Sequence, residues 1–505
     1  MAILERLRKI ISGLENAQVP FSYYVLIFIS SLTLRNFLEI FADDANVSFG
    51  LFPETSGIFY SAGYSIALSF AHYYVFWAFT FLALAIFFSL ITKVNVLSVL
   101  KSLLALSPII LITPLFDLLI TQGRGVEIAY AHPKNILELF PLPKIVTPGM
   151  SITAALAAGL TFVYCKIKTN KSLRGLWAVF ILYFLLIFLS ALPAVAKASH
   201  PLQIIRILLI GLFFELIFIL SLANNAYFKA VYRDLRWLRI IHYASMFFFG
   251  ILITRHALGK AIYTNFSCFL LTVIAFVLTW IGAMMLNDAE DYEIDTLTNK
   301  GRALVNNVFS KGQLVNFSLW LFLAAVIFAL GVNFPTAFFT LLIIANACLY
   351  SLPPLRLKRV PVFSKLFISS SSLVLVMLGY LFAEGEILQF PQVITWYFLI
   401  FVTLAINLID LKDFEGDKNA GIKTLPVIFG LKKAKIMTGG FLLAAYCALG
   451  LALLDSRILL AAAMLGIIQF ILINRKTFRE KPVLLTHLAG MALLFFYLNS
   501  PLWLK

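Results

Sequence analysis

Apolar stretches about twenty residues long recur from one end of the chain to the other, separated by short polar segments. They fall near 19–41, 72–92, 98–121, 149–165, 175–196, 203–222, 241–258, 263–286, 312–330, 335–352, 363–383, 393–410, 436–454, 458–474 and 483–500. A helix crossing a bilayer needs ~20 mostly apolar residues, so each of these fifteen runs predicts one membrane-spanning helix. Strands of a membrane barrel would instead show segments of about ten residues with alternating polarity. The expected fold is therefore all-α and polytopic. The N-terminal stretch MAILERLRKIISGLENAQ is basic and amphipathic, and no small-residue cleavage site follows the first run. That run reads as an uncleaved first span rather than a signal peptide.

Assigning the connecting segments alternately to two sides tests the pattern. One side holds the N-terminus and the segments around 166–174, 223–240, 287–311, 353–365, 410–435 and 475–482. It collects 30 of the 40 Lys and Arg residues, against nine on the other side, with Arg35 inside the first run. Misplacing one span would scramble that asymmetry, so it supports both the count and a cytoplasmic location for the basic side. The stretch 223–240 is polar and basic and separates six spans from nine. It predicts a boundary between an N-terminal membrane domain, 1–235, and a C-terminal one, 236–505. No fixed-period repeat is visible.

Composition narrows the class. Of 505 residues, 61% are hydrophobic and only 13% charged, well above the 45–50% apolar share of a soluble domain. This excludes a soluble globular enzyme, a disordered chain and a nucleic-acid module. The net charge of +16 then reflects loop lysines and arginines rather than nucleic-acid binding. Cys165, Cys268, Cys348 and Cys447 share no metal-type spacing and read as small buried hydrophobes.

The acidic residues are concentrated. Nine of the 24 lie in two windows totalling 17 positions, 287–295 (NDAEDYEID) and 410–417 (DLKDFEGD). Each window directly follows an apolar run, on the basic side, where carboxylates are expensive and are functional candidates. Asn287, Asp291 and Asp295 stand at i, i+4 and i+8, one face of a helix continuing from its span. Asp410, Asp413 and Asp417 stand at i, i+3 and i+7, again one stripe. Stacked like charges repel, so a cation is expected between them. Oxygen ligands without nearby His or Cys favour Mg²⁺, which shares its shell with substrate phosphates. Between the windows, Tyr350, Ser351 and Pro353-Pro354 precede Leu355-Arg356-Leu357-Lys358-Arg359, a candidate clamp for a multiply charged phosphate.

At these residues the sequence resembles the UbiA superfamily of intramembrane prenyltransferases. The family's N-D-x-x-D-x-x-x-D signature is matched by Asn287, Asp288, Asp291 and Asp295. Its D-x-x-G-D-x-x-x-G-x-x-T-L-P signature is matched by Asp413, Gly416, Asp417, Gly421, Thr424, Leu425 and Pro426, and the Y-S-x-P-P-L-R-L-K-R stretch is also similar. The resemblance covers about 235–505, whose nine predicted spans equal the family's nine helices. One departure is Arg302-Ala303-Leu304, where family members often carry R-P-L. The resemblance implies a helical bundle with both motifs at the cytoplasmic mouth of a central cavity. It further implies catalysis at Asp291, Asp295, Asp413 and Asp417, and Mg²⁺ bound by these four with Asn287. Substrate binding is implied for Asn287, Arg302, Tyr350, Ser351, Lys358, Asp410 and Lys423. The substrates would be a prenyl diphosphate and a lipophilic acceptor, aromatic or lipid, within the membrane, with membrane lipids as further partners, and the second motif looks more like the chlorophyll-synthase, homogentisate and archaeal ether-lipid branches than the 4-hydroxybenzoate branch.

Two rivals compete. A transporter would explain Glu39, Asp117 and Glu215 inside predicted spans, but related halves or broken helices are not apparent in the sequence. A CDP-alcohol phosphotransferase would carry D-G-x-x-A-R, which is absent.

Overall fold

The structure, a computed structural model, describes residues 2–42, 62–123, 130–131, 138, 146–198, 200–258, 265–298, 301–360, 362–419 and 421–499. Among these residues there are helices and no strands. Fourteen helices are long and apolar enough to cross a bilayer, and a bent pair supplies a fifteenth. The chain is a multi-pass integral membrane protein. Large apolar side chains such as Leu119, Phe334 and Phe496 stand outward and exposed, as lipid-facing surface requires.

The bent pair is the run expected at 98–121. It forms Val96–Ala105 and Ser107–Ile120, turned by 40°, because Pro108 cannot donate into the preceding turn. The run expected at 393–410 is also irregular. Gln392–Trp396 is α-helical, Tyr397–Val402 is π-helical and Ile406–Leu411 is a 3-10 turn. Hydroxyls of Ser369 and Thr403 both donate to the Phe398 carbonyl, replacing bonds that the widened turn loses. Bulges of this kind concentrate at functional sites.

The chain divides into two compact units, Met1–Phe228 and Lys229–Lys505. In the first, the amphipathic helix Ala2–Asn16 is tied down through Glu15, which accepts from Tyr164 (2.8 Å) and Lys168. The acids favouring a transporter mostly have local duties here. Glu39 pairs with Arg35 one turn back at 2.8 Å. Asp117 accepts from Thr147 Oγ1 (2.6 Å) and Gly149 N (2.7 Å) at the start of Pro148–Thr169. Glu215 keeps a buried carboxylate oxygen with no hydrogen-bond partner and makes no ion pair among the described residues.

The second unit contains nine of the spanning helices among its described residues, from Trp237–Arg255 to Glu480–Asn499. Their starts are capped by Asn265, Asn333 and Asp455, and by a Ser310–Gln313 capping box. Helices Trp237–Leu258 and Phe363–Phe382 cross in near backbone contact. A Cβ at Gly250 would lie 2.0 Å from the Val376 carbonyl oxygen, and one at Gly379 would lie 2.0 Å from that of Phe247. Thr254 Oγ1 seals the crossing by donating to the carbonyls of Gly250 and Tyr380, each at 3.0 Å.

That crossing sets the first expectation. Gly379→Ala must push two backbones apart, so it should destabilise the unit by about 1–3 kcal/mol, read as a lower unfolding midpoint in detergent. Gly440→Ala, whose Cβ would meet nothing within 4 Å, should leave the midpoint unchanged or raise it.

Candidate active site

The first acidic window begins inside the helix Phe266–Glu290, which runs one turn beyond its apolar core. Asp291 caps it and a new helix, Tyr292–Thr298, starts at once. The backbone bonds Asp291 N to Asn287 O (2.9 Å) and Asp295 N to Asp291 O (2.8 Å) carry the helical register through the junction. The expected face of Asn287, Asp291 and Asp295 therefore survives the break.

Two carboxylates here are each paired with two cations. Asp288 accepts from Arg236 at 2.7 Å and from Arg302 at 3.1 Å. Asp291 pairs with Lys358 at 2.7 Å and Arg356 at 3.0 Å. Asn287 bridges the groups: its Oδ1 accepts from Lys358 (2.9 Å) and Ser351 (3.4 Å), while its Nδ2 donates to Asp291 (3.0 Å). Burial pulls Lys358 below the usual lysine range, with Asp291 opposing the shift. Burial likewise lowers Arg236, opposed by Asp288. The Ala303 N–H donates to Asp234 at 3.0 Å, a bond that a proline at this position would lack.

The second window is differently balanced. Asp410 pairs with Lys365 at 2.5 Å. Asp413 and Asp417 make no ion pair among the described residues. Burial raises Asp413, and it raises Asp417 to about 6, with the charges of Asp410 and Asp413 adding to the rise. Asp413 and Asp417, without ion pairs of their own among the described residues, leave this window with carboxylates open to a cation.

Both windows line one cavity of about 1110 Å³. Away from the acids its walls are aromatic, with Tyr243, Phe276, Trp280 and Tyr397 contributing. A polar chain interrupts that wall: His242 Nδ1 lies 3.1 Å from His487 Nε2, and His487 Nδ1 lies 2.9 Å from the Tyr446 hydroxyl. Arg239 and Lys412 also line the cavity and share Glu480, at 2.9 and 2.7 Å. Among the described residues no three Asp, Glu, His or Cys side chains converge closely enough to enclose a metal ion by themselves.

Of the residues singled out in the sequence, Asn287, Asp291, Asp295, Arg302, Tyr350, Ser351, Lys358, Asp410, Asp413 and Asp417 all line this cavity. Lys423 does not. It is exposed, while its neighbours Ile422 and Thr424 line the wall. Several lining residues were not anticipated: Asp288 as the partner of two arginines, Lys365, Arg236 and Arg239, and the histidine pair. The only sequence signal for the arginines was the basic break at 223–240, which had been assigned to a boundary.

Comparison with known proteins gives a consistent identification. The model of the UbiA prenyltransferase family matches residues 245–499, half of the chain. Digeranylgeranylglyceryl phosphate synthase of Methanobrevibacter smithii is 27% identical over 33% of the chain and 60% of its own length. The Thermococcus gammatolerans protein of the same name is 29% identical over 38% of the chain and 67% of its own length. The chain thus spans about 60–67% of these curated relatives. Among solved structures, a UbiA homolog from Archaeoglobus fulgidus bound to GPP and Mg2+ matches with a TM-score of 0.44 and 18% identity, covering 53% of the chain and 97% of that structure.

The carboxylate between two arginines yields a stability expectation. Asp288→Asn removes the charge that both guanidiniums face. A fully buried pair loses 3–5 kcal/mol when broken. Here the arginine side chains keep 23% and 20% exposure, so about 2 kcal/mol is expected, as a fall in the unfolding midpoint. Lys423→Ala should not move it.

Proposed function

We propose a function from one premise: the chain belongs to the UbiA prenyltransferase family and is a membrane prenyltransferase. In this reading it transfers a prenyl group from a prenyl diphosphate to a lipophilic acceptor within the bilayer. The observation that carries it is the shared cavity, with carboxylates and cations at one end and aromatic faces at the other. Asp288 and Asp291 face four cations, Arg236, Arg302, Arg356 and Lys358, donors suited to a diphosphate.

The donor set fits Mg²⁺. This ion takes one or two carboxylates and completes its shell with waters and phosphate oxygens, so it needs no all-protein cage. Asp291 and Asp295, with Asn287, would hold it on one side, and Asp413 and Asp417 on the other. When bound, it would neutralise charge developing on the departing diphosphate. The chain's own groups supply the rest. Lys358, Arg302 and Arg356 bind and orient the diphosphate oxygens. The allylic C–O bond breaks with its electron pair going to the leaving oxygen, leaving a carbocation. The faces of Tyr243, Trp280 and Tyr397 stabilise that cation, and the apolar wall keeps water from it. The acceptor's nucleophile then forms the new bond and releases a proton.

For the acceptor we propose a glyceryl phosphate lipid, the product class named in the relatives. Arg239 and Lys412, which line the cavity and pair with Glu480, are the cations that would contact an acceptor phosphate. The catalytic mouth and the N-terminus are assigned to the cytoplasm from the distribution of Lys and Arg. The transporter reading loses support because Glu39 and Asp117 have structural partners.

The deciding experiment incubates purified protein with prenyl diphosphates of several lengths and a prenylglyceryl phosphate, and follows products by mass spectrometry. A metal-dependent, doubly prenylated product is expected. No product from any pair, or full turnover in excess EDTA, would overturn the reading. Asp291→Asn and Asp417→Asn should each abolish transfer in a folded protein. Arg302→Ala and Lys358→Ala should weaken diphosphate use at every chain length without changing acceptor preference. A chain starting near Asn224 removes an even number of spans, so it should keep its orientation, metal dependence and transfer activity, measured per folded molecule in nanodiscs.

A further inference from the structure

The unit Met1–Phe228 contains a second cavity, of about 330 Å³, that prenyl transfer at the acidic mouth does not use. Its walls are largely aromatic and aliphatic, with Phe76, Phe81, Leu84 and Phe88 among them. Into this apolar lining are set Arg35 Nε, His72 Nδ1, Trp77 Nε1 and Ser102 Oγ, all buried and all without a hydrogen-bond partner among the described residues. Arg35, His72 and Ser102 are themselves 4%, 1% and 4% exposed. Native interiors leave very few polar groups unpaired, and four gathered on one cavity wall point to a ligand that pairs them.

The chemistry of the four groups restricts that ligand. Arg35 Nε–H and Trp77 Nε1–H can only donate, and Ser102 can donate as well. The ligand must therefore accept. Its charge is restricted too, because Glu39 already neutralises Arg35 at 2.8 Å and the guanidinium lies over the Tyr73 ring, 4.6 Å from its centroid. An anion would find no net positive charge. At roughly 30 Å³ per water-sized volume, the space holds a fused ring pair or the head of a longer chain. Leu106 and Leu160, both on the lining, are each 41% exposed. In a unit whose helices cross the bilayer, an edge of exposed leucines opens towards hydrocarbon.

We propose that this cavity binds a neutral, lipid-soluble carbonyl compound that enters from the bilayer. Its ring or hydrocarbon body lies against the aromatic wall, and its carbonyl oxygens accept from Arg35, Trp77 and Ser102. The site is independent of the prenyl-transfer chemistry, so it stands or falls on its own test.

The test compares two probes of one shape, 2,3-dimethyl-1,4-naphthoquinone and 2,3-dimethylnaphthalene, of which only the first carries carbonyls. Full-length protein in nanodiscs is equilibrated with each probe by dialysis, and uptake by empty nanodiscs is subtracted. Saturable binding of the quinone is expected, at least tenfold tighter than that of the hydrocarbon. Ser102→Ala and Trp77→Phe each remove one donor with little change of shape. Each should weaken the quinone by about fivefold, the worth of one hydrogen bond, and leave the hydrocarbon unaffected. The unfolding midpoint of free Ser102→Ala should hold or rise, since that hydroxyl has no hydrogen-bond partner to lose among the described residues. Uptake no greater than that of empty nanodiscs, equal affinity for the two probes, an unchanged quinone preference in both variants, or a lower midpoint for Ser102→Ala would each overturn the proposal.

Discussion

Charge in a low-dielectric setting must be compensated, and the C-terminal unit is organised around that constraint. A carboxylate drawn out of water is tolerated only with counter-charges or strong donors close by. The chain places nine of its 24 acids at the ends of two spanning helices. For Asp288, Asp291 and Asp410 the counter-charges come from the protein, through Arg236, Arg302, Arg356, Lys358 and Lys365. Those cations arrive from a loop before one span, a loop after another and the foot of a third. Holding the acids thus fixes the relative positions of segments more than a hundred residues apart.

The backbone departs from regular helix where this assembly requires it. The span Gln392–Leu411 leads into the second acidic window through a π-helical turn and a 3-10 turn, and Ser369 on a neighbouring helix helps satisfy the freed carbonyl of Phe398. The glycine crossing at Gly250 and Gly379 supplies a tight scaffold away from the acids. A rigid crossing beside a deformed span lets carboxylates reach a common cavity while the apolar walls stay packed.

Much of this was legible in the sequence, for a physical reason. Spanning helices need long apolar runs whatever their partners, so the runs mark them directly. The i, i+4 spacing of Asn287, Asp291 and Asp295 survived a helix break because the backbone register continued through it. Legibility failed where the determinant was a distant partner. Asp288 lies off the stripe of its own motif, and nothing local shows that Arg236, 52 residues earlier, pairs with it. His242 and His487 are 245 residues apart, and no periodicity connects them. The bend near residue 106 was visible in principle, since Pro108 sits inside the run. Lys423 erred in the other direction: it follows a strong motif, but the side chains on either side of it take the wall and leave it outside.

The contrast between the two acidic windows has a functional consequence. The first is crowded with cations and the second is not, so beyond sharing a metal ion the two would do different work. In the proposed reading, a trianionic leaving group would be drawn to the first by Lys358, Arg356 and Arg302. A divalent cation would be drawn to the second, where Asp413 and Asp417 lack ion-pair partners among the described residues and the charge of Asp413 adds to the raised proton affinity of Asp417, with Asp291 and Asp295 completing its site. A diphosphate carrying its metal would satisfy both at once, its oxygens against the first window and its cation against the second. Two half-sites of different electrostatic need, facing one cavity, would favour a ligand that carries both signs of charge.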